Sequence, residues 1–159
     1  MQSRLDYFAA SPESMQAMLA LENHVRGCGL EPSLIELVKT RASQINGCAY
    51  CVHMHTRDAR AAGESEERLY LLPVWRESPL YSARERAALA WTEALTLIAE
   101  TRAPDEDYAE LRRHFSEEEA VKLTLLIGAI NIWNRFAVGF RSVHPVDAAG
   151  AAPRHRETA

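Results

Sequence analysis

At 159 residues and 17.8 kDa the chain is a single domain by size, long enough to bury a core without disulfide or metal staples. Hydrophobic residues at 47%, charged residues at 25% and a net charge of -4 describe a globular protein and argue against a nucleic-acid or anionic-membrane partner. The opening MQSRLDYFAASPE holds no apolar run of signal-peptide length, and the uncharged stretch Leu123 to Asn134 is too short to span a bilayer, so the expected location is the cytoplasm.

Punctuation along the chain is helical, and strand-like alternation between hairpin turns is nearly absent, which predicts an all-α fold. Ser11-Pro12 reads as an N-cap with proline at the first helical position, opening a helix through Met15, Met18, Leu19, Glu22 and Val25 to Gly27. The next helix follows Pro32. Ser33 and Glu36 read there as a Ser-x-x-Glu capping box, Leu34, Leu37, Val38, Arg41 and Ile45 as an amphipathic run, and Asn46-Gly47 as its break. A helix bearing two cysteines and two histidines runs on to Ala62, with Gly63 behind it. A short helix from about Glu66 to Leu72 ends at Pro73, and a second capping box, Ser82 with Glu85, starts a longer one through Trp91 and Leu95 towards Glu100. Pro104-Asp105 restarts the chain into a small helix with Tyr108 and Leu111. A third box, Ser116 with Glu119, opens the most apolar helix, from Val121 through Trp133 to about Val138.

That last helix is apolar on more than one face, which predicts burial in the core or against another subunit, and hence a homo-oligomer. Residues 1–146 are expected to form the domain, and 147–159, rich in Ala, Gly and Pro without periodicity, a flexible tail.

The chemistry concentrates in Asn46-Gly47-Cys48-Ala49-Tyr50-Cys51-Val52-His53-Met54-His55. On a helix starting near Cys48, the residues Cys48, Cys51 and His55 share one face. A thiol at a helix start meets unpaired N–H groups and the positive end of the helix dipole, which favour thiolate. In a chain without an export signal the close pair reads as catalytic or metal-binding, while Cys28, between Gly27 and Gly29, reads as an incidental loop thiol. A zinc centre would need a fourth ligand beyond Cys48, Cys51 and His55, and no second Cys-x-x-Cys or His-x3-His pair exists. If Ser33 to Ala62 is a helical hairpin turning at Asn46-Gly47, Glu36 and His55 come level about 12 to 15 Å from the turn. A carboxylate there would fix the imidazole tautomer and make its other nitrogen a base for Cys51, one turn away. Glu36 is equally explained by its place in the capping box. His53 points about 200° away from Cys51 around the helix, towards surface or interface.

The run Glu36-Leu-Val-Lys-Thr-Arg41-Ala-Ser43-Gln-Ile-Asn46-Gly47-Cys48-x-x-Cys51-x-x-x-His55 resembles the signature of the carboxymuconolactone decarboxylase and alkylhydroperoxidase D (AhpD) superfamily, a glutamate twelve residues before Cys-x-x-Cys-x-x-x-His. Ala90 to Ala94 and Asn131 to Arg135 also resemble segments of its peroxidase-like branch. The resemblance, from about Leu30 to Phe140, implies an AhpD-like helical bundle assembling into trimers or hexamers. It also implies peroxide reduction in which Glu36 and His55 form the proton relay, Cys51 is the peroxidatic thiol and Cys48 the resolving one. The family's best-known members carry a histidine where Tyr50 stands, so their relay details and lipoyl-bearing electron donor do not carry over. Decarboxylase members generally lack the cysteine pair. The expected activity is therefore a thiol peroxidase taking a hydroperoxide substrate and an unidentified thiol or dithiol reductant, with no metal or organic cofactor. Its rivals are a redox sensor or disulfide-exchange adaptor, and a lactone decarboxylase-like lyase.

Overall fold

The computed structural model describes residues 2–146, and the expected tail at 147–159 lies outside the described residues. Among the described residues the chain is helical and without strands: α1 (Tyr7–Ala10), α2 (Pro12–Arg26), α3 (Pro32–Ile45), α4 (Ala49–Ala61), α5 (Glu66–Leu71), a 3₁₀ segment (Leu72–Glu77), α6 (Ala83–Thr96), α7 (Ile98–Thr101), α8 (Asp105–His114) and α9 (Glu117–Gly139). The boxes at Ser82/Glu85 and Ser116/Glu119 form with both reciprocal hydrogen bonds, so α6 and α9 start where their sequences say.

Other boundaries differ. The Ser33/Glu36 box does not form: α3 begins at Pro32 with Glu31 as its N-cap residue, because proline supplies the helical φ at the first position, and Glu36 lies inside the helix. Helix α2 has the expected limits, Ser11 at its N-cap, Pro12 first and Gly27 at its C-cap, but the Ser11 hydroxyl pairs with Ser14 Oγ and not with the backbone. Helix α5 does stop at Leu71, just ahead of Pro73 as expected, but the chain tightens there into the 3₁₀ segment, where a missing N–H costs little. Helix α6 stops at Thr96, and α1, with α7 beyond Leu97, went unforeseen.

The helix buried on every side is α3, not α9. Leu34, Ile35, Leu37, Val38 and Ala42 are buried, but so are Glu36, Lys39, Thr40 and Ser43. It lies between α4, α6 and α9 and holds polar groups inside because most have partners, which burial requires. Helix α9 is 23 residues long, and an 18-residue window of it reaches a mean hydropathy of 1.2, so by length and composition alone it could cross a bilayer. Three glutamates open it, and Leu123, Leu126, Ile127, Ala129 and Ile130 are buried in the domain's own core. What α9 leaves outside is a stripe holding Val121, Leu125 and Ile132, with Val138 exposed on another face. Cys28 is buried and packs in the core beside Val25 and Leu30, a small hydrophobe rather than an open loop thiol.

The α3–α4 turn is pinned from α9. Asn46 Nδ2 donates to Asn131 Oδ1 at 3.0 Å and to Asn134 Oδ1 at 2.9 Å, and Asn134 Nδ2 donates to Ser43 Oγ at 3.0 Å. Gly47 follows with φ +66°, a conformation that L side chains adopt at a cost. The segment resembling the peroxidase-like branch around Asn131 thus fixes the register of the cysteine helix.

Candidate active site

Cys48 is the N-cap of α4, one residue before the helix proper, and its Sγ accepts the Cys51 N–H at 3.2 Å. Cys48 and Cys51 are joined as a disulfide, the oxidised state of a two-electron couple. Both are buried. His55, four residues beyond Cys51 and so on the same face, is also buried. Its Nδ1 donates to Glu36 Oε2 at 2.8 Å, which leaves Nε2 as the basic nitrogen. The hairpin therefore brings together all four residues expected from the sequence. With the cap belonging to Glu31, Glu36 has this histidine as its partner. His53 stands apart, its ring stacked on His144 at 4.7 Å between centroids.

A cavity of about 210 Å³ opens beside the pair. Four helices line it, each by its own periodicity: Leu19, Glu22 and Arg26 on α2, Cys51, Met54 and His55 on α4, Ile130, Trp133 and Ala137 on α9, and Tyr7 with Phe8 on α1. Cys48 does not line it, whereas Tyr50, at the position between the cysteines, does.

Around Glu36 runs a chain of fixed charges that the sequence reading did not assign to the site. Arg26 Nη1 lies 3.9 Å from Glu36 Oε1 and its Nε donates to Glu22 Oε1 at 2.6 Å. Glu22 also accepts from Lys39 Nζ, and from Trp133 Nε1 at 3.2 Å. Burial pushes the Glu22 carboxyl up, but hydrogen bonds and charge from Lys39 and Arg26 pull it down further, holding it below the ordinary carboxylate range. Lys39 has no exposed surface, and burial holds its ammonium below the usual lysine value against the pull of Glu22. The signal in the sequence was spacing: Glu22 falls among the apolar positions of α2, and Lys39 sits three residues after Glu36, just behind the apolar Leu37 and Val38.

Among the described residues Glu36, His55 and Asp58 bring three ligand atoms within 4.8 Å of one another. Two of them are already bonded to each other, and Arg26 places a cation beside Glu36, so the set suits proton transfer better than a divalent ion.

Residues 12–94, just over half of the chain, match the carboxymuconolactone decarboxylase family. The uncharacterized protein YdfG of Bacillus subtilis is 44% identical over 138 residues, 87% of this chain and 94% of its own. A crystal structure from Agrobacterium tumefaciens, of a protein of unknown function for which a role as the antioxidant defence protein AhpD is suggested, is 57% identical with a TM-score of 0.90, covering 92% of this chain and 100% of that one. An uncharacterized peroxidase-related protein from Silicibacter sp. TM1040 is 25% identical with a TM-score of 0.74, over 83% of this chain and 70% of its own. The helical architecture is accordingly AhpD-like.

Proposed function

The chain belongs to the carboxymuconolactone decarboxylase family, and from that premise we propose that it is a cytoplasmic thiol-dependent peroxidase of the alkylhydroperoxidase type. The observation that carries the reading is that Cys51 and His55 line one cavity, with His55 held by Glu36 and Cys48 bonded behind Cys51.

The cycle starts from the reduced dithiol. His55 Nε2 takes the Cys51 proton, and the thiolate attacks the distal peroxide oxygen. The O–O bond breaks, Cys51 becomes a sulfenic acid, and the leaving alkoxide takes the proton from His55 to depart as an alcohol. The Cys48 thiol then attacks the Cys51 sulfur, expelling water and giving the disulfide. An external dithiol returns the two electrons by exchange. Glu36 acts as a positioning residue, keeping the imidazole in one tautomer and stabilising the imidazolium.

One equivalent of hydroperoxide should consume two thiols per chain and yield a reversible Cys48–Cys51 disulfide, with steady turnover when dithiothreitol is supplied. Cys48→Ser should still form a dimedone-trapped sulfenic acid at Cys51 but not turn over, and Cys51→Ser should form none at Cys48. Labelling at Cys48 instead would make the N-terminal cysteine the attacker. Disulfide formation without turnover would make the pair a sensor.

A further inference from the structure

The cavity's walls say more about the organic part of a substrate than its catalytic end does. Besides Cys51, His55 and the Glu22–Arg26 ion pair, it is bounded mainly by aromatic and apolar side chains, the rings of Tyr7, Phe8 and Trp133 with Leu19, Met54 and Ile130. The rings are held. Phe8 stacks on Trp133 with centroids 6.4 Å apart, and Tyr7 packs on Phe136 at 5.3 Å and on Phe140 at 5.7 Å. Helix α1, which carries two of these rings, is tied to the far end of α9 by Arg4 N–H to Phe140 O at 2.9 Å and Arg4 Nη1 to Gly139 O at 3.0 Å. The family match covers residues 12–94, so Tyr7, Phe8 and Trp133 lie outside the matched range.

Resting on the peroxidase reading, we propose that the substrate is a hydroperoxide of a single aromatic ring, with Phe8 and Trp133 as the residues that select it. Size supports this. An apolar cavity of about 150 Å³ accepts benzene, so about 210 Å³ takes one ring and a short hydroperoxide arm. Chemistry supports it too. Aromatic rings favour tilted or offset contact with a further ring, and the thioether of Met54 and the guanidinium of Arg26, both on the lining, favour an aromatic partner over an aliphatic one. The ring would occupy the α1–α9 side and the O–O bond would lie at Cys51 and His55. Hydrogen peroxide fills none of the apolar space and gains nothing from it.

The test compares cumene hydroperoxide, tert-butyl hydroperoxide and hydrogen peroxide by kcat/KM on the full chain, each rate divided by that peroxide's rate with free dithiothreitol to remove intrinsic reactivity. Burial of one ring predicts a preference for cumene hydroperoxide over hydrogen peroxide of about 10- to 100-fold, with tert-butyl hydroperoxide between. Phe8 is 45% exposed, so its replacement should leave the fold intact. Phe8→Ala should reduce the preference, and Phe8→Leu, which keeps apolar area but removes the ring, should restore it only in part. Equal corrected rates for the three peroxides, or a preference unchanged in Phe8→Ala, overturn this inference alone. Failure of all three to oxidise the dithiol overturns the peroxidase reading and this inference with it.

Discussion

Replacing Glu36 by Gln separates chemistry from folding because the structure removes the helix-capping role that would have confused the two. The N-cap of α3 is Glu31, so no cap is lost. The amide oxygen of Gln can accept the His55 N–H that Glu36 Oε2 accepts at 2.8 Å. Arg26 keeps its bond to Glu22 at 2.6 Å. The exchange of a charge-assisted for a neutral hydrogen bond then costs about 1 kcal/mol of stability. Reactivity should fall much more. Without the carboxylate the imidazolium formed on taking the Cys51 proton loses its buried counter-charge, and the amide can turn to donate to Nδ1, which puts the proton on the wrong nitrogen. Loss of an organised general base is worth roughly 10²-fold or more in rate. Stopped-flow measurement of thiol oxidation by hydroperoxide over about pH 6 to 8, where an imidazole changes charge, should show this drop for Glu36→Gln. Glu36→Asp, which keeps the charge, should recover part of it. Thermal melting on the same samples controls for folding. Oxidation by Glu36→Gln at the wild-type rate across that range would refute the relay.

Further outcomes test the surroundings. Glu22→Gln leaves Lys39 fully buried without its carboxylate and should cost about 3 to 5 kcal/mol in urea denaturation, whereas Lys39→Met should cost less because Glu22 keeps Arg26 and Trp133. As the Glu22 carboxyl is held below its unfolded value, its contribution is complete above about pH 4.3 and lost as the pH falls through the lower folded value, so acid titration of Glu22→Gln should lack that loss. A homo-oligomer remains a proposal resting on the exposed Val121, Leu125 and Ile132 stripe of α9; sedimentation at micromolar concentration should show no folded monomer, and a stable monomer would remove it.

The fold class, the hairpin and the meeting of Glu36 with His55 were legible because caps, breakers and helical spacing are local signals. Ser82 and Ser116 illustrate this, each bonding only three residues ahead. The Ser33/Glu36 pair has the same spelling, yet proline at position 32 starts the helix earlier and releases Glu36 to the interior. The apolar faces of α9 were expected to bury in the core or against another subunit, and Ile127 and Ile130 take the first course, within the chain's own core. Partners distant in sequence could not be read at all. Trp133 reaches Glu22 across 111 positions, and Tyr7 and Phe8 reach the cavity only because Arg4 is tied to the end of α9. Spacing states which residues share a face, and tertiary packing decides what that face meets.

The two cysteines occupy sites suited to opposite halves of the proposed cycle. Cys48, as N-cap, has the Cys51 N–H directed at its sulfur and lies at the positive end of the α4 dipole, which stabilises negative charge there without a base. A stabilised thiolate is a good leaving group, so reduction of the disulfide is favoured when the incoming thiol attacks Cys51 and expels Cys48. Cys51 has the base and the cavity, which suit it to attack peroxide. In the proposed cycle both incoming reagents would therefore approach the Cys51 sulfur from the cavity, which Cys48 does not line. The paired charges from buried Lys39 through Glu22 and the more exposed Arg26 to Glu36 would hold that arrangement in place before any substrate arrives, so the reorganisation would be met in folding instead of in the reaction.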